Sequence, residues 1–123
     1  MKRDMDLIRR IALEVEALDV GDTLDGLDGV EEEVFSMHAI WMDEAGLVDA
    51  SINEYLDGLT RANIKRLTWD GCEFVDAIRS DTLWVKAKEN VMKPSMSFTF
   101  GILKDWLKSE ITQGLPTIRA LGQ

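Results

Sequence analysis

Leu7, Ile8, Ile11, Ala12, Val15 and Leu18 fall three and four apart, with Asp6, Arg9, Arg10, Glu14 and Glu16 between them, which predicts an amphipathic first helix over 4–18. Asp4 and Asp6 suit the positive end of its dipole. Gly21, Gly26 and Gly29, interleaved with Asp22, Asp25 and Asp28, disfavour helix and long strand, so 20–30 reads as a loop with room for a short strand. Glu31, Glu32 and Glu33 open a second helix over 31–45. From Val34 to Met42 only Ser36 and His38 interrupt its apolar side chains, and a helix apolar almost all round is covered on more than one side. Phe35, Ala39 and Met42 are expected to face the domain's own core, which leaves Met37, Ile40 and Trp41 for another element or another protein. Gly46 ends the helix.

Val48, Ala50 and Ile52 then alternate with Asp49, Ser51 and Asn53, the period of a half-buried strand. Asp57-Gly58 is a turn signal, and 62–67 is expected to pair back as the second arm of a hairpin. Thr68 suits the N-cap of a third helix whose apolar face is Phe74, Val75 and Ile78. A fourth helix over 82–93 buries Leu83, Trp84, Ala87 and Val91 and is stopped by Pro94. Ile102, Leu103, Trp106, Leu107 and Ile111 mark a fifth, and 113–123 reads as an irregular tail. A helix with a Gly-Leu exit, a hairpin and a Thr-capped helix follow one another in the order of a winged-helix domain. The expected fold is therefore α+β, mostly α: a winged-helix-like domain with extra C-terminal helices over 1–112.

The net charge of −9 gains meaning from its placement. Residues 1–10 carry +2 and residues 61–123 carry +3, whereas 11–60 hold 14 acids and no lysine or arginine. The second helix, where a DNA-reading element would be sought, offers Glu31, Glu32, Glu33, Asp43 and Glu44 and no cation. Phosphate neutralisation supplies much of the affinity of DNA-binding proteins, so that helix has the wrong sign. Arg61, Lys65 and Arg66 on the return strand are the DNA-binding candidates that remain, with the alternative that they protect a strand edge from aggregation.

The candidate chemistry is sparse. His38, the one histidine, lies inside the apolar helix, where a hydrogen-bonded structural role is expected. Cys72, the one cysteine, has no disulfide partner and stands near acids that disfavour a thiolate. The acids at 22, 25 and 28 lack the Asp-x-Asp-x-Asp-Gly alternation of a calcium loop. No serine-nucleophile motif, glycine-rich phosphate loop or paired-histidine motif is present. No enzymatic activity, metal, cofactor or small-molecule substrate is therefore expected. The N-terminus lacks the apolar core of a signal peptide, and no apolar run approaches the ~20 residues needed to span a bilayer. A soluble, cytoplasmic protein is the expectation.

Three stretches are familiar: 1–9, Met-Lys-Arg-Asp-Met-Asp-Leu-Ile-Arg; 38–48, ending Glu-Ala-Gly-Leu-Val; and 67–84, opening Leu-Thr-Trp-Asp-Gly-Cys-Glu-Phe-Val. Through them the chain resembles the bacterial and prophage family named domain of unknown function 2513, over most of its length up to about the final helix. The resemblance implies a bacterial or phage origin and a winged-helix-like fold, and no established activity. At 39–42, Ala-Ile-Trp-Met departs from that family's more usual Leu-Lys-Leu-Leu kind of pattern and makes the outer face of the helix more apolar. The function expected from these readings is a non-catalytic protein-interaction module, a homodimer or an adapter, using Met37, Ile40 and Trp41. A winged-helix DNA-binding regulator working through the basic wing is the alternative. Periodicity leaves open whether the apolar helix is core or interface.

Overall fold

The computed structural model describes residues 1–93 and 99–114, without the side chains of 113 and 114. The described residues form α1 (Met5–Glu16), α2 (Glu32–Glu44), β1 (Val48–Glu54), β2 (Thr60–Leu67), α3 (Trp69–Ile78), α4 (Asp81–Asn90) and α5 (Phe100–Gly114). The architecture is α+β and mostly helical, with one two-stranded antiparallel sheet among the described residues. The chain divides into two compact units, Met1–Val75 and Asp76–Gln123.

In the first unit, the Asp4 carboxylate accepts the Leu7 N–H and starts α1, satisfying one of the donors that a helix start leaves free. Leu7, Ile8, Ile11, Ala12 and Val15 are buried, as the periodicity predicts, and α1 packs on β2 and α2. The glycine- and aspartate-rich loop contributes a single strand-like contact: Leu24 and Ile64 exchange backbone hydrogen bonds of 2.9 and 2.8 Å. α2 buries Phe35, Ala39 and Met42, as expected. It also buries Ser36 and His38, the residues that interrupt its apolar run. At its exit Gly46 takes a φ of +77°, the Leu47 N–H donates to the Met42 carbonyl at 2.9 Å, and the Gly46 N–H donates to the Asp43 carbonyl at 3.0 Å. This is the Schellman arrangement, with Met42 and Leu47 buried as its apolar pair.

The hairpin turns through Asp57 and Gly58, where the Asp57 carboxylate accepts the Leu59 N–H and Gly58 has a φ of +84°. β2 starts at Thr60, two residues earlier than the expected return strand. The pairing shifts between Asp49 and Ala50, so Lys65 is an extra residue in β2. The bulge explains the spacing of the buried residues Ala62, Ile64 and Leu67: it resets the alternation by one and puts Lys65 and Arg66 on the exposed side. The expected alternation of β1 holds less well. Val48 is buried, but Ile52, in an edge strand near the tip, is 43% exposed.

α3 begins where Thr68 predicts. The Thr68 hydroxyl accepts the Gly71 N–H at 3.0 Å and donates to the Gly46 carbonyl, while the Thr68 N–H donates to the Leu47 carbonyl. A Cβ on Gly71 would lie 1.9 Å from that same Leu47 oxygen and 3.2 Å from the Leu67 Cβ. Only glycine allows the first turn of α3 to rest on this backbone.

In the second unit α4 starts one residue before the predicted helix, with the Ser80 hydroxyl accepting the Leu83 N–H, and buries Trp84 and Ala87, with Val91 buried at its C-cap; Leu83, expected on the same side, is half-buried. α5 packs on α4 and buries Leu103 and Leu107. Ile102 and Ile111, expected on its apolar face, are exposed, because the stripe it buries is narrower than its apolar content. α5 runs through Gly114. The rest of the tail expected over 113–123, and the stop expected at Pro94, lie outside the described residues.

Gly71→Ala should lower stability by about 3 kcal/mol, the upper range for forcing atoms into a filled site. Gly26→Ala, at a position with no atom within 4 Å of the new Cβ, should stay within about 0.5 kcal/mol. Paired urea unfolding curves check both, and equal midpoints for the two variants would remove the packing role given to Gly71.

Candidate interaction surfaces

Helical geometry separates the two sides of α2. At 100° per residue, Phe35, Ala39 and Met42 share the buried arc, and Met37, Ile40 and Trp41 emerge on the other side. All three are half-buried. Trp41 is held from beneath. Its ring meets the His38 imidazole edge to face, with centroids 5.1 Å apart and planes at 79°, a favoured geometry for ring pairs. His38 is itself pinned: Nε2 accepts the Asp4 N–H at 2.9 Å and Nδ1–H donates to the Val34 carbonyl at 2.8 Å. With both ring nitrogens occupied, the neutral tautomer is set by its partners. The first helix is thereby fastened to the second, and the histidine has the hydrogen-bonded structural environment expected of it. Ser36 has a parallel task, its hydroxyl accepting the N–H of Ala62 at 3.2 Å.

The structure also locates the three cations of β2. The Arg61 guanidinium lies 3.2 Å from the Glu32 carboxylate and 5.4 Å from the centroid of the Tyr55 ring. Arg66 lies 3.9 Å from Asp49 and donates to the Leu67 carbonyl. Lys65 is exposed and has no ion pair with a described residue. The bulge brings Lys65 and Arg66 to the rim of a shallow cleft of about 390 Å³ that Glu16, Asp19, Leu18 and Cys72 also line. The exposed Cys72 therefore has basic neighbours from β2 as well as the acids adjacent in sequence. A second shallow cleft, about 300 Å³, lies between Glu31–Glu33 and Leu59–Arg61. The basic cluster that stands out in the sequence is thus interleaved in space with acids. Exposed pairs of this kind contribute only about 0–1 kcal/mol each, but they lower the positive potential that a phosphate backbone would meet.

Other exposed groups escaped the sequence reading. Trp69, at the start of α3, is 79% exposed and donates from Nε1 to the Glu73 carboxylate at 2.7 Å. Ile52, Tyr55 and Leu56 are exposed along the outer half of the hairpin. Trp69 could have been found, since at 100° per residue it lies on the side of α3 opposite Phe74, Val75 and Ile78. Trp84, expected on the apolar side of the fourth helix, is buried there. Among the described residues no three potential ligand side chains gather for a metal, and no helix is long and apolar enough to cross a membrane.

His38→Leu keeps much of the volume but leaves the Asp4 N–H and the Val34 carbonyl without their partner. It should cost about 1–3 kcal/mol and speed amide exchange in the first turn of α1. Hydrogen exchange read by NMR checks this, and native-like protection of that turn would show that His38 does not fasten it.

The geometry of α1, α2 and the hairpin falls within the span of a family match. The family model described as "Hypothetical protein (DUF2513)" matches residues 2–97. An uncharacterized protein of Haemophilus influenzae is 34% identical over 118 residues, covering 94% of this chain and 99% of that protein. No solved structure matches the chain. The match over 2–97 takes in the stretches at 38–48 and 67–84 and all but the first residue of 1–9, which carry the resemblance, and on that basis the chain belongs to the DUF2513 family.

Proposed function

We propose that this protein is a non-catalytic binding module of a bacterial or prophage cytoplasm that associates with protein, a second copy or an adapter target, through the Met37, Ile40 and Trp41 side of α2. We read residues 1–112 as a winged-helix-like domain with a C-terminal helical extension. The order α2, β1, β2, α3 supports that reading, as does the contact from Leu24 that gives the hairpin the beginning of a third strand.

One observation carries the functional part: Trp41 stands half out of the surface on a histidine whose two nitrogens are both committed. A tryptophan fixed in this way loses little freedom when a partner covers it, which is the property of an interface anchor. Met37 and Ile40 extend the apolar area around it, and the acids Glu33 and Glu44 flank it on the same exposed side. His38 spends both nitrogens on structure, which supports a non-catalytic role for the one histidine. DNA binding through the wing is the second reading. It is favoured by the bulge that sets Lys65 and Arg66 side by side on the exposed face, and disfavoured by the pairing of Arg61 and Arg66 with Glu32 and Asp49.

Sedimentation velocity across micromolar concentrations, with Trp41→Ala beside the native chain, tests the first reading. The native chain should self-associate or co-sediment with a partner. Trp41→Ala should weaken that association by roughly tenfold or more and reduce stability by less than the ~3–5 kcal/mol of a fully buried tryptophan. A strict monomer whose Trp41→Ala variant unfolds makes the residue core. For DNA, weak and salt-sensitive binding is expected; tight, sequence-specific binding lost in Arg66→Ala would reverse the order of the two readings.

A further inference from the structure

The two edges of the sheet are treated differently. Ile64 directs its N–H and carbonyl away from β1, because both are exchanged with Leu24. In an antiparallel pair the direction alternates residue by residue, so Ala62 also faces outward from β2, where the Ser36 hydroxyl takes its N–H. The edge of β2 is therefore occupied by the protein's own groups. The same alternation applies to the partners of these residues in β1: Ala50 opposite Ile64, Ile52 opposite Ala62, and Glu54 opposite Thr60. Ala50 gives its N–H to the Asp43 carboxylate at 3.3 Å. Beyond it, the backbone groups of Ile52 and Glu54 point outward along an exposed stretch, with no hydrogen-bonding partner among the described residues.

We infer that the Ile52–Glu54 edge of β1 accepts an extended, cationic segment of a protein partner as a third strand. The open N–H and carbonyl groups supply the hydrogen bonds common to every strand-addition site. The side chains decide which strand fits. Ile52 lies on the core side of the sheet with Ala62 and is 43% exposed, so an apolar residue opposite it extends the core. Glu54 lies on the same side, is exposed and has no ion pair with a described residue, and the Asp43 carboxylate stands at the same edge, where it accepts the Ala50 N–H. The complementary segment has a lysine or arginine opposite Glu54 and a branched apolar residue two positions on. A second copy of this strand brings only acids and is repelled. The inference rests on the protein-binding reading for the kind of partner, and uses a different surface from Trp41.

The test is an NMR titration of the full chain with two synthetic peptides, acetyl-Lys-Thr-Val-Thr-Val-Lys-amide and its counterpart with glutamate for both lysines. The lysine peptide should shift the amides of Ile52 and Glu54, more weakly as salt is raised, and the glutamate peptide should not. Ile52→Pro removes an N–H that faces away from β2, a position where a strand tolerates proline, and should weaken binding by roughly tenfold. Glu54→Lys, an exposed change that leaves the backbone intact, should also weaken it and keeps the test decisive if the proline variant fails to fold. Equal binding of both peptides, no binding of the lysine peptide, or binding unchanged in both variants overturns the inference. Shifts confined to Met37, Ile40 and Trp41 overturn it while leaving the α2 reading standing.

Discussion

The first unit depends on a backbone seam between the exit of α2 and the entry of α3. Gly46 turns the chain in the left-handed region, and Leu47 offers its carbonyl to the Thr68 N–H while Thr68 returns its hydroxyl to Gly46. The seam closes only because Gly71 has no side chain to strike the Leu47 oxygen. Its consequence reaches the sheet. Val48 pairs with Leu67 immediately beyond the seam, so the same contacts that stop one helix and start the next also set the register at the base of the hairpin. A slip of one residue would turn Ile64 outward, and the bulge at Lys65 lets both Ile64 and Leu67 stay inside.

What the sequence made legible was local chemistry. Asp4, Gly46, Asp57-Gly58 and Thr68 each act on backbone groups within a few residues, and each is found doing so. The buried arc of α2 was equally readable, since its angle follows from 3.6 residues per turn. The misses depend on partners distant in the chain. Ser36 read only as an interruption because its hydrogen-bond partner, Ala62, lies in another element, and the structural role expected of His38 came without its partner, Asp4, for the same reason. The bulge was latent in the spacing of Ala62, Ile64 and Leu67, two and then three, but an alternating template hides it. Ile52 and Ile102 were assigned inward by pattern alone, whereas burial depends on what lies opposite. Likewise, nothing near Arg61 or Arg66 in sequence names Glu32 or Asp49.

Those pairings bear on how the surface is read. A cluster such as Arg61, Lys65 and Arg66 looks like a phosphate site when counted along the strand. In three dimensions each of the two arginines has an acid alongside, and Lys65, which has no ion pair with a described residue, sits at the rim of a cleft that Glu16 and Asp19 also line. The fold moves acids from α2 and β1 toward the cations instead of gathering cations together. That distribution lowers the positive potential along β2, and this is the physical ground on which the proposal ranks protein before nucleic acid.

Two of the three stretches through which the chain resembles its family run through the seam: one ends at Gly46, Leu47 and Val48, and the other opens at Leu67, Thr68 and Gly71. A change there disturbs backbone contacts and threatens folding, so resemblance at those positions reports a shared joint before it reports a shared activity. The outer side of α2 is under a different constraint. Residues 39–42, which the resemblance marks as a departure from the family's usual pattern, include buried Ala39 and Met42 and half-buried Ile40 and Trp41. The exposed members can change with little effect on packing, provided the buried ones still fit. A family can therefore keep the seam while the outer side of α2, where the protein contact is proposed, varies.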